Sequence, residues 1–151
     1  MDGRIATLNQ LNIIVGDMQA SIDFYRRLGV QMSEATEAKE PAPFHVNAET
    51  GGGFKFEFDS APFSQVWNPG WIGRDDLAGR VVLGFHFKTR GEIDKTYQEL
   101  TEAGYRGLAA PFDAFWGARY AIVEDPNGIA VGLMSPIEPD RRYWPPDNWK
   151  P

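Results

Sequence analysis

The sequence predicts an α+β fold of two βαβββ modules on three observations. The same order of periodic segments occurs twice, the two copies keep a nearly constant offset, and each reaches its last strand through a glycine-marked turn. The offset is read by subtraction: Val15 and Phe87, Tyr25 and Tyr97, and Leu28 and Leu100 stand 72 positions apart, whereas Gly29 and Gly104, and Gly53 and Gly128, stand 75 apart. The growth by three residues at the end of the helix is about one turn, an insertion that leaves the repeat intact. Few letters are shared, so the order and spacing of elements carry the argument.

The clearest element is residues 116–134, WGARYAIVEDPNGIAVGLM. Pro126 presets φ for a type I turn, Asp125 offers an acceptor to the backbone beyond it, and Gly128 follows where φ can be positive. On the entering side Tyr120 and Ile122 alternate with Ala121 and Val123; on the leaving side Ile129, Val131 and Leu133 alternate with Ala130, Gly132 and Met134. The bulky set is expected to face a helix-covered core. The face holding Ala130 and Gly132 is expected to stay open for something other than a side chain.

In chain order, residues 5–15 read as a first strand, with Leu11, Ile13 and Val15 alternating. Asp17 offers a helix cap, and Ile22, Phe24, Tyr25 and Leu28 follow at helical spacing until Gly29 stops them. Residues 30–36 read as a strand, 37–43 as a charged, proline-marked turn, 44–48 as a strand, and Gly51, Gly52 and Gly53 as a loop into Phe54, Phe56 and Phe58. Residues 60–79 lack a period and are rich in proline and glycine, which marks a long connection. Its Phe63, Trp67 and Trp71 must pack on the core, a second subunit or a ligand. From Arg80 the order returns: a strand to Phe87, a helix over 91–103, Gly104 as its stop, a strand over 105–109, and the hairpin. The expected organisation is a first module at 1–62, a connecting loop at 63–79, a second module at 80–135 and an extended tail at 136–151. The tail has too much proline for a helix, and its Tyr143, Trp144 and Trp149 are expected to pack along the domain or a partner subunit.

Composition bounds the function. A chain of 151 residues with 42% hydrophobic and 24% charged residues has enough apolar sequence for a sizeable core. Its 15 basic and 21 acidic residues leave a net charge of −6 with no basic run, which argues against nucleic acid and anionic membranes as partners. The absence of cysteine excludes disulfides, thiolate metal sites and cysteine nucleophiles. No segment reads as a secretory signal and no apolar run approaches membrane-spanning length, so the expectation is a cytoplasmic chain. Nucleophile-elbow, Walker and H-E-x-x-H motifs are missing, and the triple glycine at 51–53 is not followed by a helix. Asp75 and Asp76 read as solvated loop charge.

The opening strand ending in VGD, the helix SIDFYRRLG, the closing WGARYAIVEDPNG and the doubled βαβββ order together resemble the vicinal oxygen chelate superfamily over residues 5–135. That superfamily includes glyoxalase I, bleomycin-resistance proteins and ring-cleaving dioxygenases. The resemblance implies curved mixed sheets around a cavity. In enzymatic members it implies a divalent metal held by one His, Gln or Glu from the first and last strand of each module. Carried over position by position, those four ligands fall on Gln10, Glu57, Val82 and Gly132. Gln10 and Glu57 can bind a metal; Val82 and Gly132 cannot. His86 shares a strand face with Val82 and Gly84 but lies four residues from Val82, roughly 13 Å along the strand.

The sequence reading is therefore a protein that binds a small, flat aromatic compound without a metal or other cofactor and without catalytic residues, resembling the drug-sequestering, antibiotic-resistance branch. The residues expected to bind the ligand are Gln10, Asn12, His45, Asn47, Glu57, Trp67, Gly84, His86, Phe115, Trp116, Gly132 and Met134, a mixed wall of small, polar and aromatic side chains. Trp71 and Ala130 are further candidates for its edge and floor. The expected assembly is a homodimer. The alternative is a metal-dependent lyase, isomerase or dioxygenase of the same superfamily, or a substrate-binding subunit without chemistry of its own.

Overall fold

A computed structural model describes residues 10–33, 44–49, 52, 54–67, 73, 81–144 and 147, the side chains of Gln10, Gln65, Val66 and Trp67 apart. The chain divides into two units, Met1–Arg74 and Asp75–Pro151, so the division falls inside the expected connection. Each unit has its own four-stranded mixed sheet, and the two orders are the same.

Unit 1 contains β1 (Gln10–Val15), α1 (Met18–Arg27), β2 (Gln31–Met32), β3 (His45–Glu49), β4 (Lys55–Ser60) and α2 (Ala61–Trp67). Its strands lie in the order β1-β4-β3-β2, with β1 parallel to β4 and the other pairs antiparallel. Helix α1 starts where Asp17 Oδ1 accepts from the Ala20 amide at 2.9 Å, and Arg26 and Arg27 sit in its last turn, where the helix dipole favours positive charge. Alternation along the strands sends Ile13, Val15, Val46, Ala48, Phe56 and Phe58 to the helix side, where they are buried with Phe24 and Tyr25. Tyr25 stands edge-on to Phe56 at 5.4 Å, a favoured aromatic geometry.

Unit 2 contains β5 (Val82–His86), α3 (Arg90–Glu102), β6 (Gly107–Asp113), β7 (Arg119–Glu124) and β8 (Ala130–Met134). Its order is β5-β8-β7-β6, and the tail closes with a 3-10 turn at Pro139–Arg141. A capping box opens α3: the Thr89 amide donates to Glu92 Oε2 at 2.7 Å and the Glu92 amide to Thr89 Oγ1 at 3.3 Å. Bonding to the Thr89 backbone is the main reason that the Glu92 carboxyl lies below its usual pKa. The core consists of Ile93 and Leu100 against Leu83, Ala121, Val123, Val131 and Leu133.

The ladders reproduce the offsets read from the sequence. Gln10↔Lys55 and Asn12↔Glu57 in unit 1 become Val82↔Ala130 and Gly84↔Gly132 in unit 2, 72 positions on for the first strand and 75 for the last. His45↔Asp59 becomes Tyr120↔Met134 by the same 75. The paired positions of β1, β3 and β4 thus have named counterparts in β5, β7 and β8.

Four expectations need correction. The connection expected at 63–79 opens inside a helix, because the Phe63 amide donates to Ser60 Oγ at 3.3 Å and Pro62 lies in the first turn, where its missing N–H costs nothing. The strand expected at 30–36 is assigned only at Gln31–Met32, and 34–36 lie outside the described residues. The strand expected at 105–109 instead runs over Gly107–Asp113, with irregular register against β7 between Gly107 and Phe112. Finally, Tyr120 and Ile122 are not on the core face: they pair with Met134 and Gly132, and directly opposed residues share a face. The core instead takes the smaller Ala121 and Val123, both fully buried. Trp71 and Trp149 fall outside the described residues.

Candidate functional site

The sheet face of unit 1 turned away from α1 is polar and internally bonded. The registers place Asn12, Glu57 and Asn47 in one row, with Ile14, Asp59 and His45 in the next. His45 Nδ1 lies 2.5 Å from Asp59 Oδ1. Asn12 Nδ2 donates to Asp59 Oδ2 at 3.0 Å and to Glu57 Oε2 at 3.2 Å. Asp59 is 2% exposed, so this pairing is what makes its burial tolerable. Phe63, brought over by α2, places its ring edgewise to His45 at 6.1 Å and packs on Phe44 at 4.7 Å.

The corresponding face of unit 2 is aromatic. Phe112, Trp116 and Tyr120 form a triangle of edge-on contacts at 5.1 to 6.5 Å, and Trp116 Nε1 points at Met134 Sδ at 3.3 Å. Phe115 continues the cluster to Trp144 at 5.3 Å. Tyr120 lies across Gly132: a Cβ there would collide with the Tyr120 hydroxyl and approach its ring carbons to 3.0 Å. Burial raises the Tyr120 phenol above its usual pKa. The bare position on this face is Gly84, whose added Cβ would meet nothing within 4 Å, beside Val82 at 51% exposure.

The aromatic loop is held from behind. Arg119 Nη2 donates to Asp94 Oδ1 at 2.6 Å and Arg119 Nη1 to Asp113 at 3.2 Å, while Arg90 pairs with Asp113 and reaches Glu138 at 3.5 Å. Burial works to raise the Asp113 pKa, but hydrogen bonds from Arg90 and Arg119 outweigh it and hold the carboxyl low. The tail crosses the loop: the Glu138 amide donates to Gly117 O at 3.0 Å, the Tyr143 amide to Phe115 O at 3.0 Å, and Tyr143 Oη to Asp113 O at 2.9 Å. Gly117 has φ +99°, and a side chain there would strike Glu138 O.

The structure gathers Asn12, His45, Asn47 and Glu57 on the unit 1 face, and Gly84, His86, Gly132 and Met134 on that of unit 2. Trp116 joins the second group through Met134, and Phe115 flanks it at 37% exposure. Gln10 lies on β1 and Trp67 ends α2, their side chains outside the described set. Asp59, Phe112 and Tyr120 join these groups although the sequence reading did not choose them. The alternation of Glu57 with Asp59, and the cross-strand position of Tyr120, were the available signals.

A metal site of the kind the fold suggests does not fit these residues. Val82 offers only hydrocarbon and Gly132 no side chain, and the position opposite Glu57 is Asn12, whose amide already donates to that carboxylate. Among the described residues no group of three or more His, Asp or Glu is placed to hold an ion.

Two repeated βαβββ units, each with a helix-backed four-stranded sheet, define a class, and comparison with known proteins gives it a family. The chain belongs to the Glyoxalase/Bleomycin resistance protein/Dioxygenase superfamily, matched over residues 7–133. It is 28% identical over 130 residues to the uncharacterized protein YwkD of Bacillus subtilis (strain 168), covering 85% of this chain and 96% of that one. A glyoxalase/bleomycin resistance protein/dioxygenase family enzyme from Burkholderia phytofirmans PsJN has a similar fold, with TM-score 0.73, 21% identity and coverage of 86% of this chain and 98% of that one. A glyoxalase-related enzyme from Fulvimarina pelagi gives TM-score 0.71 at 18% identity, with 87% and 89% covered. Among the described residues no helix is long and apolar enough to cross a membrane.

Proposed function

We propose that this protein binds a small, flat aromatic compound and that holding the compound, as in a drug-sequestering protein, is its function. The supporting observation is the aromatic face of unit 2, where Phe112, Trp116 and Tyr120 stand edge-on beside Met134 while Gly84 and Val82 leave open surface. Exposed rings and a thioether offer stacking and sulfur contacts to a planar π-system, and a few polar groups orient such a ligand. The family match is compatible with this reading and with an enzymatic one. A panel of planar aromatics should quench tryptophan fluorescence, and Phe112→Ala should weaken that binding several-fold. A panel that leaves fluorescence and melting temperature untouched would remove the proposal.

The reading includes absence of a resident metal and assembly as a homodimer. Elemental analysis after growth with zinc, nickel, manganese and iron is expected to find no stoichiometric ion; one ion per chain, lost on Glu57→Ala, would favour a metal-dependent lyase, isomerase or dioxygenase. The dimer accounts for Trp144 at 63% exposure beside exposed Phe115 and Tyr143. Sedimentation should give twice the chain mass, and a monomer at high concentration would count against it.

A further inference from the structure

The polar face of unit 1 contains a pair that the fold itself does not require. The counterparts of His45 and Asp59 in unit 2 are Tyr120 and Met134, and the same ladder forms there without a charge. A carboxylate at 2% exposure carries a heavy desolvation cost unless fully bonded, and unit 2 shows a neutral way of filling those positions. The pair therefore points to chemistry at the face.

We infer that the unit 1 face selects its own ligand through His45: locked by Asp59, it presents an acceptor at Nε2 to a hydroxyl or N–H on an aromatic compound held beside Phe44 and Phe63. This deepens the binding reading above and rests on it. An ionised carboxylate only accepts, so the 2.5 Å contact places a proton on Nδ1, and in the neutral ring the lone pair is then at Nε2. Asn12 holds the other Asp59 oxygen at 3.0 Å, which fixes the carboxylate and, through it, the ring. Nε2 has no hydrogen-bond partner among the described residues, and the side chain is 34% exposed. Phe63 and Phe44 supply an aromatic wall beside it. Among the described residues the other charged groups on this face are Glu49 and Glu57 with Lys55 at the strand start, a net negative set that disfavours anions. The ligand class is thus a neutral aromatic compound bearing a donor.

Naphthol and its methyl ether, both uncharged at pH about 8, test this. The wild-type protein should bind naphthol about tenfold more tightly than the ether. His45→Phe should erase that preference. Asp59→Asn should erase it too: the Asn12 amide claims the new side-chain oxygen, the new NH2 group donates to Nδ1, and the ring proton moves to Nε2, where the naphthol and ether oxygens can both accept. Nitrogen NMR of the imidazole reads the tautomer directly in the wild-type protein and in Asp59→Asn, and decides the question should His45→Phe fail to fold. Equal affinities for naphthol and ether, or a wild-type proton on Nε2, would overturn the inference alone. If neither compound binds, the aromatic-binding reading falls, and this one with it.

Discussion

Tyr120 occupies the space above Gly132, so the two behave as one packed unit. Gly132→Leu should cost about 1 to 3 kcal/mol in denaturant unfolding, because the ring must leave its position. Gly84→Val should leave stability unchanged, since a Cβ there meets nothing and valine suits a strand, yet it should weaken binding if the open surface receives the ligand. Spectrophotometric titration should find one tyrosine ionising above the usual range and lost in Tyr120→Phe. A raised folded pKa gives stability that is present below the unfolded value and lost as pH rises through the folded one, so Tyr120 contributes to alkaline unfolding. The sequence marked both glycines as missing side chains. Which of them a neighbour fills depends on cross-strand placement of a ring twelve residues away, which local alternation does not specify.

The turn after Glu124 was legible because each of its requirements is local, whereas the faces of the strands it joins were not. Gly128 takes φ +79°, and Asp125 Oδ1 accepts from the amides of Asn127 at 2.7 Å and Ile129 at 2.8 Å. Asp125→Ala would leave those donors without their acceptor and should cost about 1 to 3 kcal/mol. Helix α2 was missed although Ser60 and Pro62 mark its start, because the prolines and glycines beyond it dominated the reading. The anchor formed by α3, β6, β7 and the tail is long-range and had no sequence signature: Asp94, Asp113 and Glu138 meet Arg90 and Arg119 only after folding. Asp113 has a lowered pKa, so its contribution is present above the unfolded value and fades as pH falls through the folded one. The stability gap between the wild-type protein and Asp113→Asn should therefore narrow below pH about 4. A gap independent of pH would mean that the arginines do not hold this carboxylate.

At the scale of the whole chain, the repeat was readable because an offset survives when letters do not: 72 before the end of the helix, 75 after it, and the same in the ladders. What each face carries was less readable. The family resemblance points to Gln10 and Glu57, whereas the bonded chain links Glu57 through Asn12 to Asp59 and His45. Among the described residues the strands fall into two four-stranded sheets, each within one unit. A thermodynamic cycle can therefore serve as a ruler. His45→Phe and Phe112→Ala, measured singly and together, give an interaction energy for the free protein, and repeating the cycle with ligand gives another. A difference between the two values reports that ligand binding couples the two residues; equal values report that they act independently.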